Sequence, residues 1–474
     1  MLCRLNKLTS AVLTLFIVIL LTACGGNSHE GKIIVTVAEK QGNTTGSAGG
    51  NFPMLNSRSE LLIVDPENLS GKPVSISPDF YSACSPSVSY DGKKILFAAR
   101  KEQNDPWQIW EMEAGKKSIR KIISLSENCF DPVYLPGNRV VFSRQIPNDT
   151  LKADYTLFSC NIDGSDLKRL TFNPHTYYGT SILKDGRILA ISRQVFPVVS
   201  SPGYMVLRPD GTKAELFYES PEGNVVRGIC HETDNGKIFF IEHEKQTGKN
   251  RIVSINYNRP LHSRSLISEP DGDYLSVMPL SDSKLLVAGK TGTDSNYALY
   301  DYDLKNGKSG VKLYESAEKD VVGALLIKAN EKPRNLPSEV DFGVKTGLLL
   351  CQNINLTGMH SPEKGFSLPL ADRIELIGVD SSLGIIIVED DGSVYLKIAA
   401  DTPFRIRTLD SKGSTVNGPG GWYYLRPNER RGCIGCHEDR EMVPANRYAT
   451  AVSRNPVSVP VHVDGIVEKE VELE

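Results

Sequence analysis

The sequence predicts an all-β protein, a β-propeller of about six blades followed by a small β domain. Two observations lead to this prediction. A tight turn followed by a β-rich run recurs at a nearly constant interval between residues 80 and 316. A proline-bearing stretch at 332–337 then interrupts the repeat, and the strands predicted after it no longer follow that interval. We therefore expect residues 24–332 to form the propeller and residues 333–474 to form the second domain.

Each repeat begins with a turn that leads into a run of apolar, β-branched or aromatic residues. Successive turns are 45, 49, 50 and 47 residues apart, and they are marked by Gly92, Gly137, Gly186, Gly236 and Ser283. Each first run is followed by a second one: Trp107–Glu113, Tyr155–Cys160, Tyr204–Leu207, Arg251–Tyr257 and Tyr297–Asp303. This spacing is typical of four-stranded propeller blades.

A sixth blade is predicted from the two ends of the repeat region. The runs Ile33–Glu39 and Glu60–Asp65 look like a blade without its innermost strand, which Val322–Lys328 can supply. Closing the ring in this way removes an unpaired strand edge and an unburied sheet face. The stretch from Ser85 to Phe97 resembles the repeats of exported propellers such as the Tol translocation protein, a resemblance that implies a fold and not an activity.

The first 23 residues are predicted to be a lipoprotein signal peptide. Arg4 and Lys7 precede an apolar run at 11–21 that is too short to span a bilayer comfortably. The run ends in Leu-Thr-Ala-Cys24, which resembles the lipobox in which the cysteine is acylated. We expect Cys24 to carry a lipid that anchors the protein to a membrane of the cell envelope, with a tether at 24–30. The alternative is an uncleaved helix with an incidental cysteine.

The composition is that of an ordinary globular protein, with 40% hydrophobic and 23% charged residues. The formal charge of −3, from 57 acidic and 54 basic residues, offers no basic field for nucleic acid. Gly25 stands where some lipoproteins carry the aspartate that retains them at the inner membrane, so the outer membrane is slightly favoured. No catalytic triad or phosphate-binding loop stands out, and a hydrolase or transferase is not indicated.

Near the C-terminus, Cys433, Cys436 and His437 form the sequence Cys-Ile-Gly-Cys-His. Two thiols three positions apart can reach the two vinyl groups of one porphyrin, and the following imidazole can reach its iron. Gly435 keeps the short link unobstructed. A zinc ribbon would need a second cysteine pair, and a thioredoxin-like motif would need a βαβ unit. We therefore predict one covalently attached haem c, with His437 as the default iron ligand.

Three further cysteines have related positions in the predicted repeats. Cys84 and Cys129 each lie eight residues before the turn glycine, and Cys230 lies six residues before its own. A shift of two keeps a side chain on the same face of a strand, so the three thiols are predicted to face the propeller axis. Two interpretations stay open. They are either small buried apolar side chains or a zinc or thiol site.

The region around the haem motif resembles a known family. The similarity is carried by Glu389–Tyr395, Ala400–Pro403, Leu409–Asp410, Trp422–Pro427 and Cys433–Glu438, and it covers about residues 333–445. It identifies the haem-binding middle domain of hydrazine synthase alpha subunits. In that family the motif histidine is turned toward a zinc ion and a tyrosine four residues later binds the iron. Glu441 occupies that place in this chain, so ordinary ligation by His437 is expected, with zinc shared between His437 and a propeller thiol as the alternative.

Three functions follow from these features. The first is an electron-transfer cytochrome whose propeller docks a redox partner protein. The second is a haem-dependent oxidoreductase acting on a small nitrogen or oxygen substrate, as the resemblance implies. The third is a binding scaffold with a structural haem. The sixth iron ligand stays open. The candidates are Met442, His360 and His462, and the alternative is an empty position.

Overall fold

The computed structural model describes residues 29–40, 57–116, 118–292, 294–357, 369–436 and 448–460. These residues form eight four-stranded sheets and one short 3-10 helix, Thr450–Ser453. The all-β class predicted from the sequence is confirmed. Within the described ranges, no helix has the length and the apolar character needed to cross a membrane.

Six of the sheets are propeller blades, and each is described from its innermost strand to its outermost strand. Blade 1 contains Lys319–Leu326, Ile33–Glu39, Ser59–Val64 and Val74–Ser75. Blade 2 contains Ser82–Val88, Lys94–Arg100, Gln108–Glu113 and Ile119–Lys121, and blade 3 contains Cys129–Leu135, Arg139–Gln145, Tyr155–Asn161 and Lys168–Arg169. Blade 4 contains His175–Ile182, Ile188–Gln194, Gly203–Leu207 and Glu215–Glu219. Blade 5 contains Asn224–Glu232, Lys237–Glu244, Lys249–Asn256 and Ser265–Leu266, and blade 6 contains Asp273–Ser281, Lys284–Lys290, Ala298–Asp303 and Lys308–Tyr314.

Blade 1 closes the ring by joining the two ends of the repeat region. Ile33–Glu39 pairs antiparallel with Lys319–Leu326, for example through Val35 and Ala324. Neighbouring innermost strands contact one another around the ring and line a central channel. The six-bladed propeller predicted from the sequence is therefore confirmed, including the strand that the later segment contributes to the first blade.

The second strand of a blade is buried on both faces, which explains its continuous apolar sequence. In blade 2, Ile95 and Phe97 pack into the cluster shared with blade 1. Leu96 and Ala98, which point the other way, pack into the cluster shared with blade 3. A strand that is covered on both sides loses the alternation of polar and apolar residues that marks a half-exposed strand.

A β-bulge interrupts the innermost strands of blades 2 to 5. Each bulge contains one residue with a positive φ: Ser85, Asp131, Gly179 and Gly228. The carboxylate of Asp131 accepts a hydrogen bond from Ser85 Oγ at 2.6 Å and from the N–H of Gly179 at 2.7 Å. Burial raises the pKa of Asp131, and these two bonds offset only part of that effect. One buried carboxyl group thus ties together three neighbouring blades.

The remaining two sheets pack face to face as a small sandwich. One contains, in spatial order, Arg430–Cys433, Thr346–Cys351, Val394–Ala399 and Val457–Val459. The other contains Ser382–Ile387, Arg373–Ile377, Arg405–Leu409 and Thr415–Asn417. Leu349 and Leu396 of the first sheet share a buried core with Ile374 and Leu376 of the second. The small β unit predicted after the propeller is present.

The connection between propeller and sandwich crosses the face of the propeller that carries the repeated turns. The N–H of Asn330 donates to Tyr90 O at 2.9 Å, and that of Arg334 donates to Lys184 O at 3.2 Å. Arg208 Nη2 then donates to Pro337 O at 2.5 Å. These bonds fix the path of the chain across blades 2 to 4, so the sandwich is held beside blade 4.

Candidate functional site

The two motif cysteines lie at one edge of the sandwich. Cys433 ends a strand that pairs in parallel with Thr346–Cys351, so that Cys433 is opposite Cys351. The N–H of Gln352 donates to Cys433 O at 2.9 Å, and the N–H of Cys436 donates to Leu356 O at 2.9 Å. The motif therefore runs alongside residues 352–356 and is fixed to them by backbone hydrogen bonds at both of its cysteines.

Gly435 is required where the motif turns past Leu356. A Cβ atom at position 435 would lie 2.1 Å from Leu356 O, which is closer than any real side chain approaches a carbonyl oxygen. Gly432, on the other side of Cys433, has open space around it. The sequence expectation that Gly435 keeps the link unobstructed thus has a steric cause, the carbonyl of Leu356.

The motif thiols differ from the other cysteines in their accessibility. Cys433 and Cys436 are partly exposed, whereas every other described cysteine is buried. Apolar surface lies next to them: Leu356 is 40% exposed, and Leu370 is 78% exposed. Leu356 and Leu370 are brought together because Asn355 and Ala371, their neighbours in sequence, exchange hydrogen bonds of 2.8 and 2.9 Å. Accessible thiols on a constrained link beside apolar surface fit a covalently attached porphyrin.

Several residues singled out in the sequence lie outside the described residues. They are Cys24, His360, His437, Glu441, Met442 and His462. The structure therefore describes the two attachment cysteines of the predicted haem site and says nothing of its iron ligands.

The propeller thiols occupy two separate cores. Cys84 and Cys129 lie in the cluster between blades 2 and 3, and Cys230 lies in the cluster between blades 4 and 5. The three thiols therefore do not face the propeller axis as the sequence predicted, because the spacing to the turn glycine does not determine which way each side chain points. The bulge residue comes one position after Cys84 but two positions after Cys129, and this one-residue difference points the two side chains toward opposite neighbours.

Their surroundings are those of buried apolar side chains. Each of the three is at most 1% exposed, and burial raises the pKa of Cys84, Cys129 and Cys230 to about 12. Among the described residues, no group of three or more histidine, cysteine, aspartate or glutamate side chains could hold a metal ion. The packing favours the apolar interpretation over a zinc or thiol site at these positions.

The segment that leads into the haem motif is buried against blades 3 and 4 of the propeller. Trp422 Nε1 donates to Phe196 O at 2.8 Å. The hydroxyl of Tyr424 lies 3.1 Å from Leu170 O and 3.0 Å from Gly211 O. In the sequence these aromatic residues carried only the family resemblance, and nothing local indicated that they face the propeller.

Charged groups complete this interface. The carboxylate of Glu429 is fully buried and accepts hydrogen bonds from the N–H groups of Lys213 and Arg426, both at 2.8 Å. Arg426 is itself buried and pairs with Asp401 at 2.5 Å. Burial raises the pKa values of both Glu429 and Asp401. The strand that ends at Cys433 is therefore anchored to blade 4 by buried and fully engaged polar groups.

A second anchor lies after the motif. The N–H of Thr450 donates to Asp391 at 2.9 Å, and the N–H of Ala451 donates to Ser393 Oγ at 2.9 Å. Burial opposes ionisation of Asp391, but its hydrogen bonds with Ser393 and Thr450 outweigh this and hold its pKa far below its usual range. The same turn also holds the segment that the motif runs alongside, because the N–H of Ile354 donates to Gly392 O at 2.8 Å. One turn thus fixes both the segment beside the motif and the chain that follows the motif.

The region that carries this geometry matches a known family. Residues 361–438 match the family model of the hydrazine synthase alpha subunit middle domain. Hydrazine synthase subunit alpha of Kuenenia stuttgartiensis is 21% identical over 496 residues, which cover 76% of this chain and 60% of that protein. The chain thus spans about three-fifths of the length of this curated relative.

Solved structures share the fold to different extents. Hydrazine synthase of Kuenenia stuttgartiensis aligns with a TM-score of 0.76 at 18% identity, over 90% of this chain and 71% of the solved chain. TolB of Acinetobacter baumannii aligns with a TM-score of 0.44 at 15% identity, over 62% and 66%. The matched middle domain and the shared fold make this chain similar to hydrazine synthase alpha subunits.

Proposed function

We propose that the protein is an exported lipoprotein that binds one covalent haem c through Cys433 and Cys436 and works in oxidation and reduction. The observation that carries this proposal is the local geometry of the motif. Two partly exposed thiols flank a glycine that is packed against Leu356 O, and exposed Leu356 and Leu370 lie beside them. The match to the hydrazine synthase alpha subunit middle domain supports the same cofactor.

Within this proposal, each part of the site has a defined task. A haem of this type supplies a one-electron couple between ferric and ferrous iron. Cys433 and Cys436 would hold the porphyrin, exposed Leu356 and Leu370 would offer it apolar surface, and His437 is the proposed iron ligand. The hydrogen bonds of Glu429 and Tyr424 to the propeller fix the position of this unit.

Electron transfer is the activity we propose first. Because the strand that ends at Cys433 is anchored to blade 4, a haem attached there would keep a constant distance to a redox partner protein docked on the propeller. Such a protein needs no substrate pocket at the iron, only a fixed position and a suitable potential.

The similarity to hydrazine synthase alpha favours a second candidate, an oxidoreductase that acts on a small nitrogen or oxygen substrate at the haem. This activity would need an iron position that is open to the substrate. Zinc bound by His437 belongs to this second candidate.

Haem attachment is tested by producing the protein in a host with a haem c maturation system. Denatured wild-type protein should retain covalent haem at one per chain, and the double variant Cys433→Ala/Cys436→Ala should retain none. Cys230→Ala, which removes a buried thiol far from the motif, is the matched control and should retain haem fully. Wild-type protein without covalent haem would overturn the proposal.

The two activities are separated by spectroscopy and metal analysis of the purified holoprotein. A six-coordinate low-spin spectrum that carbon monoxide leaves unchanged supports electron transfer. A high-spin haem that binds carbon monoxide supports the substrate-linked activity. Iron without zinc would remove the zinc hypothesis.

The lipid anchor proposed at Cys24 is tested separately. Wild-type protein should incorporate labelled palmitate and sediment with the cell envelope. Cys24→Ala should lose the label and the membrane association. Equal sedimentation of the two proteins without label would contradict the anchor and leave the haem proposal untouched.

A further inference from the structure

Two cysteines face each other across the sheet that carries the haem motif. The strand Arg430–Cys433 pairs in parallel with Thr346–Cys351, and the register of this pairing places Cys433 directly opposite Cys351. Residues opposite each other on neighbouring strands point to the same face of the sheet. Both side chains accordingly contact the core of the sandwich, where Cys351 is buried and Cys433 is partly buried.

The spacing of these two strands suits a disulfide bond. Neighbouring strands of a sheet lie about 4.8 Å apart, which is within the range of about 4.4–6.8 Å found between the Cα atoms of bonded cysteines. Side chains that point to the same face also meet a second requirement, that the two Cα–Cβ bonds do not point apart. The backbone thus already holds the two cysteines at a distance that a disulfide bond spans.

Backbone hydrogen bonds hold this register on both sides of the pair. The N–H of Gln352 donates to Cys433 O at 2.9 Å, and the N–H of Leu348 donates to Glu429 O at 2.8 Å. The carboxylate of Glu429 is in turn anchored to the propeller. Because these bonds are made by the protein alone, they keep Cys433 opposite Cys351 before any haem is attached.

The other described cysteines are poorly placed to compete for Cys351. Four of them lie in the cores between propeller blades: Cys84, Cys129, Cys160 and Cys230. Cys436 follows the end of the motif strand, where its N–H donates to Leu356 O at 2.9 Å. Within the described part of the chain, Cys433 is the cysteine that shares the sandwich core with Cys351.

We propose that Cys351 and Cys433 form a reversible disulfide bond in the protein before haem is attached. The oxidant is a small-molecule or protein disulfide, RSSR. The thiolate of partly exposed Cys433 attacks RSSR, which breaks its S–S bond, releases one RSH and leaves a mixed disulfide on Cys433. The thiolate of Cys351 then displaces the second RSH and bonds to Cys433. The two protein thiols thereby lose two electrons and two protons, which the two RSH molecules gain.

This bond would regulate the use of the motif, a consequence that rests on the proposed haem attachment. A sulfur atom bonded to Cys351 cannot form a thioether with a vinyl group of the porphyrin, so haem attachment at Cys433 requires a reductant. Once Cys433 carries the porphyrin, its sulfur can no longer exchange with a disulfide. Oxidation and haem attachment therefore exclude each other at Cys433.

The bond is detected by mass spectrometry of full-length protein produced without a haem c maturation system. The protein is incubated with oxidised glutathione, denatured, treated with iodoacetamide and digested with trypsin in the absence of a reductant. Most chains should yield the peptide of Cys351 joined to the peptide of Cys433, and fragmentation should place the bond on Cys433 and not on Cys436. Dithiothreitol should release both thiols.

Four variants make this test specific. Cys351→Ala and Cys433→Ala should each remove the joined peptide, and Cys433→Ala keeps the test valid if the loss of the buried Cys351 side chain prevents folding. Cys436→Ala should retain the joined peptide. Cys230→Ala, which removes a buried thiol from the propeller, is the matched control and should form the bond as fully as wild-type protein does.

The proposal is disproved if Cys351 is alkylated in most oxidised wild-type chains, or if Cys433 is bonded to Cys436 instead. Chains that carry covalent haem should contain no bond at Cys351. Because the bond is measured in haem-free protein, its absence would leave the haem proposal standing. Conversely, a chain that forms the bond but never attaches haem would contradict only the haem proposal.

Discussion

The carboxylate of Glu429, four residues before Cys433, accepts a hydrogen bond of 2.8 Å from the backbone N–H of Lys213 in the propeller. The two residues are 216 positions apart in the sequence. This contact joins the haem-motif strand to the loop between the last two strands of blade 4, and the carboxylate of Glu429 is fully buried in it. It provides the first test of how firmly the motif is held.

Glu429→Ala is expected to destabilise the protein by about 2–4 kcal/mol, because it leaves the N–H group of Lys213 and the buried N–H group of Arg426 without their acceptor. The measurement is the midpoint of denaturant unfolding. Glu339→Ala is the control: Glu339 also pairs with Lys213, at 2.8 Å, but it is 35% exposed. Such a pair contributes less than about 1 kcal/mol. Equal losses for the two variants would mean that Glu429 has no special anchoring role.

Gly435→Ala is expected to reduce covalent haem attachment, because the added Cβ would collide with Leu356 O and displace one motif cysteine relative to the other. Haem per chain, measured after denaturation, reports the effect. Gly432→Ala should attach haem normally, since a Cβ atom at that position meets nothing within 4 Å. If both variants attach haem equally well, the contact with Leu356 does not constrain the motif.

Asp131→Asn is expected to change how stability depends on pH. The folded-state pKa of Asp131 is raised above its ordinary value of 3.8, so between 3.8 and the raised value the folded state binds more protons than the unfolded state. The contribution of Asp131 to stability therefore falls as pH rises through this window. Asparagine does not titrate, so the Tm of the variant minus that of wild type should increase with pH. A difference that is constant with pH would contradict the raised pKa.

The propeller thiols are expected to resist alkylation in the folded protein. With pKa values of about 12, only about one in ten thousand of the Cys84, Cys129 and Cys230 side chains is a thiolate at pH 8. Mass spectrometry after iodoacetamide treatment should find them unmodified until denaturant is added. In a Cys433→Ala variant made without haem attachment, partly exposed Cys436 should be labelled first. Rapid labelling of Cys84 or Cys129 would show that its core opens readily.

The sequence alone determined the architecture because the architecture is periodic. The five turns from Gly92 to Ser283 recur at a nearly constant interval. Each turn leads into a strand that is apolar on both faces, so a neighbouring blade must cover it on each side. Ring closure by the strand near residue 322 followed from the same requirement. The haem attachment prediction rested on Cys433 and Cys436, and their spacing is a local property of the chain that does not depend on its fold.

The tertiary structure decided which side chains meet. Cys84 and Cys129 have the same spacing to their turns, but a bulge placed one residue differently sends them to opposite faces of their strands. Glu429 and Lys213 meet only because folding brings together segments that are 216 residues apart. Local patterns encode strands and turns, whereas burial and charge pairing depend on contacts across hundreds of residues. For that reason the sequence specified the propeller and the motif, and the fold specified how one is fixed to the other.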